Sequence, residues 1–101
     1  MPSFENAFST LKLGKKISKD ELVRAIRFFI AAEYEAIQMY TQIAEATDNE
    51  LAKEVLMDIA EEEIVHAGEF LRLLKEISPD EWKHYEKGFE EVEEMIKSIS
   101  K

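Results

Sequence analysis

The 101-residue chain contains no cysteine. A disulfide framework, a thiolate zinc site, an iron–sulfur cluster and a redox thiol are thereby excluded, and the composition suits the cytosol. Glycine and proline are scarce, at 3 and 2 residues, which leaves few positions where the backbone can turn and favours a small number of long elements. No apolar run approaches the roughly 18 residues of a membrane span, and the start of the chain lacks a basic region followed by an apolar one. The expectation is a chain that neither enters a membrane nor is exported. Basic residues are also in short supply: 13 Lys and Arg face 22 Asp and Glu, a formal charge of -9. Such a surface repels nucleic-acid phosphates and concentrates cations, so metal ions or cationic partners are the expected ligands.

What remains is helical. Apolar residues recur at spacings of three and four, which predicts an all-α fold with no strands. A first helix opens at Ser18, with Glu21 completing a capping box, and passes Leu22, Ile26, Phe29, Glu33, Ile37, Tyr40 and Ala44 before ending near Ala46. The polar Thr47-Asp48-Asn49-Glu50 reads as a second capping box, so a second helix restarts almost at once and runs to about Ile77; so short a link makes an antiparallel hairpin. Ser78-Pro79-Asp80 then breaks the chain, with Ser78 as N-cap and Pro79 at the first helical position. A third helix follows with Trp82, Tyr85, Phe89, Val92 and Ile96 on one face. The organisation expected is an N-terminal arm over 1–17 that docks on a neighbour, a hairpin over 18–77 and a C-terminal helix over 78–101, all in one domain. A domain this small leans on oligomerisation to complete its core.

Two apolar stripes are interrupted by charge. On the second helix, Glu63 and His66 stand where Leu56, Ile59, Phe70 and Leu74 predict apolar residues; on the first, Glu33 stands between Phe29 and Ile37. Glu33 precedes Asp48 by fifteen residues and Glu63 follows it by fifteen, so both lie about 22 Å from the turn and face each other at one level. His66 projects from the same side about one turn further on. An ion pair with Lys or Arg is the ordinary explanation for such carboxylates, but from Phe28 to Leu71 the basic residues are His66 and Lys53 against eleven Asp and Glu. Lys53 is ten residues, or about 15 Å, from Glu63. Protonation of the acids would also relieve the charge. A bound cation relieves it more simply, and two carboxylates with one imidazole suit iron or manganese and tolerate zinc. One Glu plus one Glu-x-x-His is half the ligand set of a di-iron four-helix bundle. His84 has no Glu three residues before it and is read as a surface histidine. Two copies of the hairpin related by a two-fold axis would rebuild the bundle and hold two ions between subunits. Glu35 and Glu62 lie beside these positions as candidate entry or secondary cation residues, with solvated helix faces as the alternative. Tyr40, two turns beyond Glu33, is a candidate to hydrogen-bond near the ions or to fill core.

The stretch from about Glu21 to Val92 resembles the encapsulated ferritins, the short ferritin-like proteins of encapsulin nanocompartments. The matching pieces are AAEYEAIQMY with Glu33 and Tyr40, AEEEIVHAGEFL with Glu63 and His66, and GFEEVEEM near the end. The resemblance implies a ferroxidase: Glu33, Glu63 and His66 ligate iron across a dimer interface, dimers form an open ring, and Fe(II) is oxidised to Fe(III) for storage inside an encapsulin shell in the cytoplasm. Rubrerythrin, which has both half-sites in one longer chain, is less similar. The tail from Lys97 to Lys101 does not match a shell-docking peptide, which implies a domain otherwise fused to its shell or another docking route. A metal buffer using the same residues, a rubrerythrin-like peroxidase, and a structural protein whose acids face solvent are the rival readings.

Overall fold

The computed structural model describes residues 16–100, which form three helices: α1 (Lys19–Ala46), α2 (Glu50–Ile77) and α3 (Pro79–Ile99). No strand occurs among the described residues, so the all-α expectation holds. The expected arm over 1–17 lies almost wholly outside them. No helix in this region is long and apolar enough to cross a membrane.

The start of α1 is set by Ser18. Its hydroxyl accepts a hydrogen bond from the Glu21 amide at 3.1 Å, and the Glu21 carboxylate accepts one from the Ser18 amide at 2.8 Å. Two of the amides left over at a helix start are thus satisfied reciprocally. The second start differs from the expected box. Asn49 is the N-cap, its side-chain oxygen accepting from the Ala52 amide, while Thr47 Oγ1 accepts from the Asn49 amide. Asn fixes its own turn by this local bond, so the reciprocal carboxylate is not needed. At α3, Ser78 and Pro79 occupy the expected positions, but the Ser78 hydroxyl makes no capping bond.

Helices α1 and α2 pack side by side along their length. Their seam is closed at the open end of the hairpin by Val23, Ile26, Ile30 and Leu74, against which Leu22, Phe70, Leu71, Ile77 and Tyr85 pack. Towards the turn the buried residues are small, namely Ala44 and Ala60, and Ala67 is buried beyond them, about level with Ile30. Methyl side chains let the two backbones run close, which carries facing carboxylates on α1 and α2 within reach of each other.

Helix α3 is held only through its first two turns. Arg27 on α1 donates two hydrogen bonds to the Glu81 carboxylate, at 3.1 and 2.5 Å, and the Tyr85 hydroxyl donates to the same group. Lys75 sits 6.0 Å from the Trp82 ring centroid, and Trp82 meets Tyr85 edge-on. From Glu86 to Ser100 every residue is exposed. The apolar face expected on this helix is present, but only its first members are packed. The radius of gyration is 18.1 Å, against about 13 Å for a compact domain of this length. An open hairpin with a projecting third helix buries little, and it leaves surfaces for a partner to cover.

Candidate metal centre

The hairpin's seam brings together the three residues that break its apolar stripes. One ligand-type atom from each of Glu33, Glu63 and His66 lies within 4.8 Å of the others. His66 Nδ1 stands 3.5 Å from Glu33 Oε2 and 3.4 Å from Glu63 Oε1. The two carboxylates are mostly sequestered, with side chains 18% and 19% exposed, whereas His66 is 47% exposed at the open edge. The equal count of residues from the turn, with α1 and α2 antiparallel, is what sets Glu33 opposite Glu63.

Glu33 Oε2 is buried and has no hydrogen-bond partner. A buried carboxylate oxygen without a donor carries a desolvation cost, and native proteins pair such atoms. Among the described residues no Lys or Arg forms an ion pair with Glu33 or Glu63. The Glu33 carboxyl is held above its ordinary range. Hydrogen bonding to the Glu63 carboxyl is the largest cause, followed by burial and by the like charge of Glu63, while His66 pulls the other way. The described residues therefore leave an excess of negative charge and one orphaned carboxylate oxygen in the same spot. Two carboxylates and an imidazole converging there fit a first-row divalent cation, with Glu33, Glu63 and His66 as the residues that would hold it.

The neighbouring candidates fall differently. Glu35 and Glu62 are exposed and lie outside the cluster. Tyr40 is half-buried. Phe29 and Tyr40 flank Glu33 at spacings of four and seven, with Ile43 three residues beyond Tyr40. Ile59, Phe70 and Leu73 flank the Glu63–His66 pair in the same way. Phe29 and Phe70 meet across the seam with ring centroids 5.4 Å apart. Yet Phe29, Ile43 and Leu73 are 41%, 58% and 42% exposed. The cluster sits in an apolar face that nothing among the described residues covers.

Sequence reasoning missed the triad of Arg27, Glu81 and Tyr85. Arg27 holds the Glu81 carboxyl below its usual range. Glu81 and Tyr85 share a face at i,i+4, but no pattern pointed to an arginine fifty-four residues away.

Three comparisons bear on this arrangement. The rubrerythrin family model matches residues 22–101. The ferritin-like–encapsulin shell fusion protein of Pyrococcus furiosus is 40% identical over 81 residues, covering 80% of this chain and 24% of that protein. The encapsulin nanocompartment cargo protein EncC of Myxococcus xanthus is 38% identical over 85 residues, covering 84% of this chain and 65% of that one. The chain thus spans about a quarter of the first relative's length and just under two thirds of the second's. In three dimensions it is similar to the crystal structure of the encapsulated ferritin domain from Pyrococcus furiosus, with a TM-score of 0.76 and 40% identity, over 79% of this chain and 82% of that domain. With the family model matching from α1 through α3 and the solved domain 40% identical over most of its length, the chain belongs to the encapsulated ferritins, ferritin-like proteins matched by the rubrerythrin family model.

Proposed function

We propose that the chain is a ferroxidase that takes Fe(II) as substrate at a site completed by two subunits. The observation that carries the reading is the convergence of Glu33, Glu63 and His66 within 4.8 Å around an orphaned buried carboxylate oxygen. Each chain supplies two carboxylates and one imidazole, half of a di-iron set. A second hairpin laid on the open apolar face by a two-fold axis supplies the other half and covers Phe29, Phe70 and Leu73 in the same step. The site then lies at the subunit interface.

In this arrangement Glu33, Glu63 and His66 would hold the iron, with Glu63 suited to bridging and Glu33 and His66 to terminal positions. Fe(II) bound between them would neutralise the crowded carboxylates of Glu33 and Glu63. Two Fe(II) give up one electron each; dioxygen takes both with two protons and leaves as hydrogen peroxide, and Fe(III) passes on to mineral. The protein contributes a fixed ligand geometry and a confined site. Peroxide in place of dioxygen is a second reading, favoured by the match to the rubrerythrin family model; the same two electrons and two protons then yield water.

The relatives named as encapsulin cargo and as a ferritin-like–encapsulin shell fusion support a location inside an encapsulin nanocompartment in the cytoplasm. Encapsulin shell protein is accordingly the proposed partner, with dimers joined into a ring. Anaerobic loading with Fe(II) followed by dioxygen, read by the growth of Fe(III) absorbance, tests the activity. Oxidation much faster than in buffer is expected. Tight Fe(II) retention with no acceleration would instead make the chain a metal buffer.

A further inference from the structure

Charge is segregated along the molecule. Between residues 28 and 71 one lysine stands against eleven Asp and Glu, and between 84 and 100 two lysines stand against five. At the elbow, where the start of α1 and the end of α2 meet the start of α3, the balance reverses: residues 16–27 and 72–83 hold seven Lys and Arg against five acids. Three of those acids are already engaged. Glu21 accepts from the Ser18 amide, Glu76 pairs with Arg72 at 3.0 Å, and Glu81 is taken by Arg27 and Tyr85. Among the described residues Lys16, Lys19, Arg24, Lys75 and Lys83 form no ion pair. The elbow thus keeps a positive field in a chain of formal charge -9.

Part of that charge converges on a cleft. Lys19, Arg24 and Arg27 line it together with Asp20, Val23 and Ser78, around about 330 Å³ of space. Two hydrogen bonds to Glu81 fix the Arg27 guanidinium in place, and Ser78, whose hydroxyl makes no capping bond, adds a neutral donor. At about 30 Å³ per water, the cleft has room for a tetrahedral oxyanion with part of its hydration. Arg24 precedes Glu33 by nine residues, so it lies about 14 Å along α1 from that carboxylate and on the opposite face of the helix. A second hairpin laid over the metal face leaves Arg24 outside.

The occupant that fits is small, anionic and multivalent. Guanidinium forks and an ammonium hold the oxygens of a phosphate group through charge-assisted hydrogen bonds. A nucleic-acid strand would run off the elbow onto the acidic faces of residues 28–71, and a nucleotide finds no aromatic ring in this lining on which to stack its base. We infer that the Lys19–Arg24–Arg27 cleft binds inorganic phosphate. The binding is independent of the iron site, to which none of these residues contributes. Its consequence for iron rests on the ferroxidase reading: Fe(III) leaving the metal centre meets an oxyanion with which it forms an insoluble salt.

Calorimetric titration of the metal-free full chain with inorganic phosphate tests it, at neutral pH and about 0.1 M chloride, where charges more than about 10 Å away are screened. One saturable site per chain is expected. Arg24→Glu and Lys19→Glu should each weaken it at least tenfold while circular dichroism shows an unchanged helix content, since both positions are exposed and an acid in the first turn of α1 suits the helix dipole. Lys97→Glu makes the same change in net charge about 27 Å along α3 from Pro79, and should leave the affinity within about twofold. No saturable site, or equal weakening in all three variants, overturns the inference. Adenosine monophosphate binding tenfold more tightly than phosphate would assign the cleft to a nucleotide and overturn it as well. Because no iron is present, these results stand whether or not the chain oxidises Fe(II), and a failure here leaves the ferroxidase reading untouched.

Discussion

Three side chains carry the proposed chemistry, and they differ in exposure. Glu33 and Glu63 are sequestered between the helices, while His66 stands at the open edge. Glu63→Ala or His66→Ala should abolish the fast phase of Fe(II) oxidation without loss of helix, since each removes a ligand and relieves a polar interruption of the seam. Glu62→Ala and Glu35→Ala, at exposed neighbours, should change the rate by no more than about tenfold. Equal damage from Glu62→Ala and Glu63→Ala, in stopped-flow absorbance, would mean that the opposite helix face binds the metal. Glu33 adds a stability signature. Its folded pKa is raised, so the folded metal-free chain binds this proton more tightly than the unfolded chain does. Stability from this group is present below the unfolded pKa and is lost as pH rises through the folded one. Glu33→Gln should therefore raise the melting temperature of the metal-free protein at neutral pH and leave it little changed in acid. A lower melting temperature in both would contradict this account of the strain.

At the scale of helices, the hairpin was legible in the sequence and the posture of α3 was not. The Ser18–Glu21 box, the polar Thr47–Asn49 link and the Ser78-Pro79 break are local signals, and local signals set helix ends. The level of Glu33 with Glu63 followed from counting, because an antiparallel pair with a short turn has one register. The direction of α3 depends instead on long-range contacts among Arg27, Glu81, Trp82 and Tyr85, which no periodicity encodes. An apolar face shows that a helix will be covered, not by what. The Glu81 contact is open to titration. Its folded pKa is lowered, first by hydrogen bonding from Arg27, so its stabilisation is complete above the unfolded carboxyl pKa and disappears as pH falls through the folded value. Amide exchange in the first two turns of α3 should accelerate in Glu81→Gln at neutral pH to the level the parent chain shows only in acid. Unchanged exchange would place the anchoring of α3 in Trp82 and Tyr85 packing alone.

The whole molecule is an open form. Its apolar hairpin face carries an uncompensated pair of carboxylates, and two such faces repel until cations lie between them. Metal-free chain should therefore be mainly monomeric in light scattering and shift to dimers or larger rings on adding Fe(II). Assembly unaffected by a chelator would make metal-driven pairing wrong while leaving the shared site in place. The number of ions per chain decides between a shared and a self-sufficient site. One chain supplies Glu33, Glu63 and His66, and no other metal-binding group of this kind occurs among the described residues; a site shared by two subunits holds two irons per dimer, or one per chain. Exposed acids add weak ions, so the count must be taken on iron retained after desalting, in the parent chain and in Glu33→Ala. A shared site predicts one tightly held iron per chain, lost in the variant together with the dimer; two per chain, both lost in the variant, would show that one subunit completes the site alone and would contradict the paired-hairpin architecture.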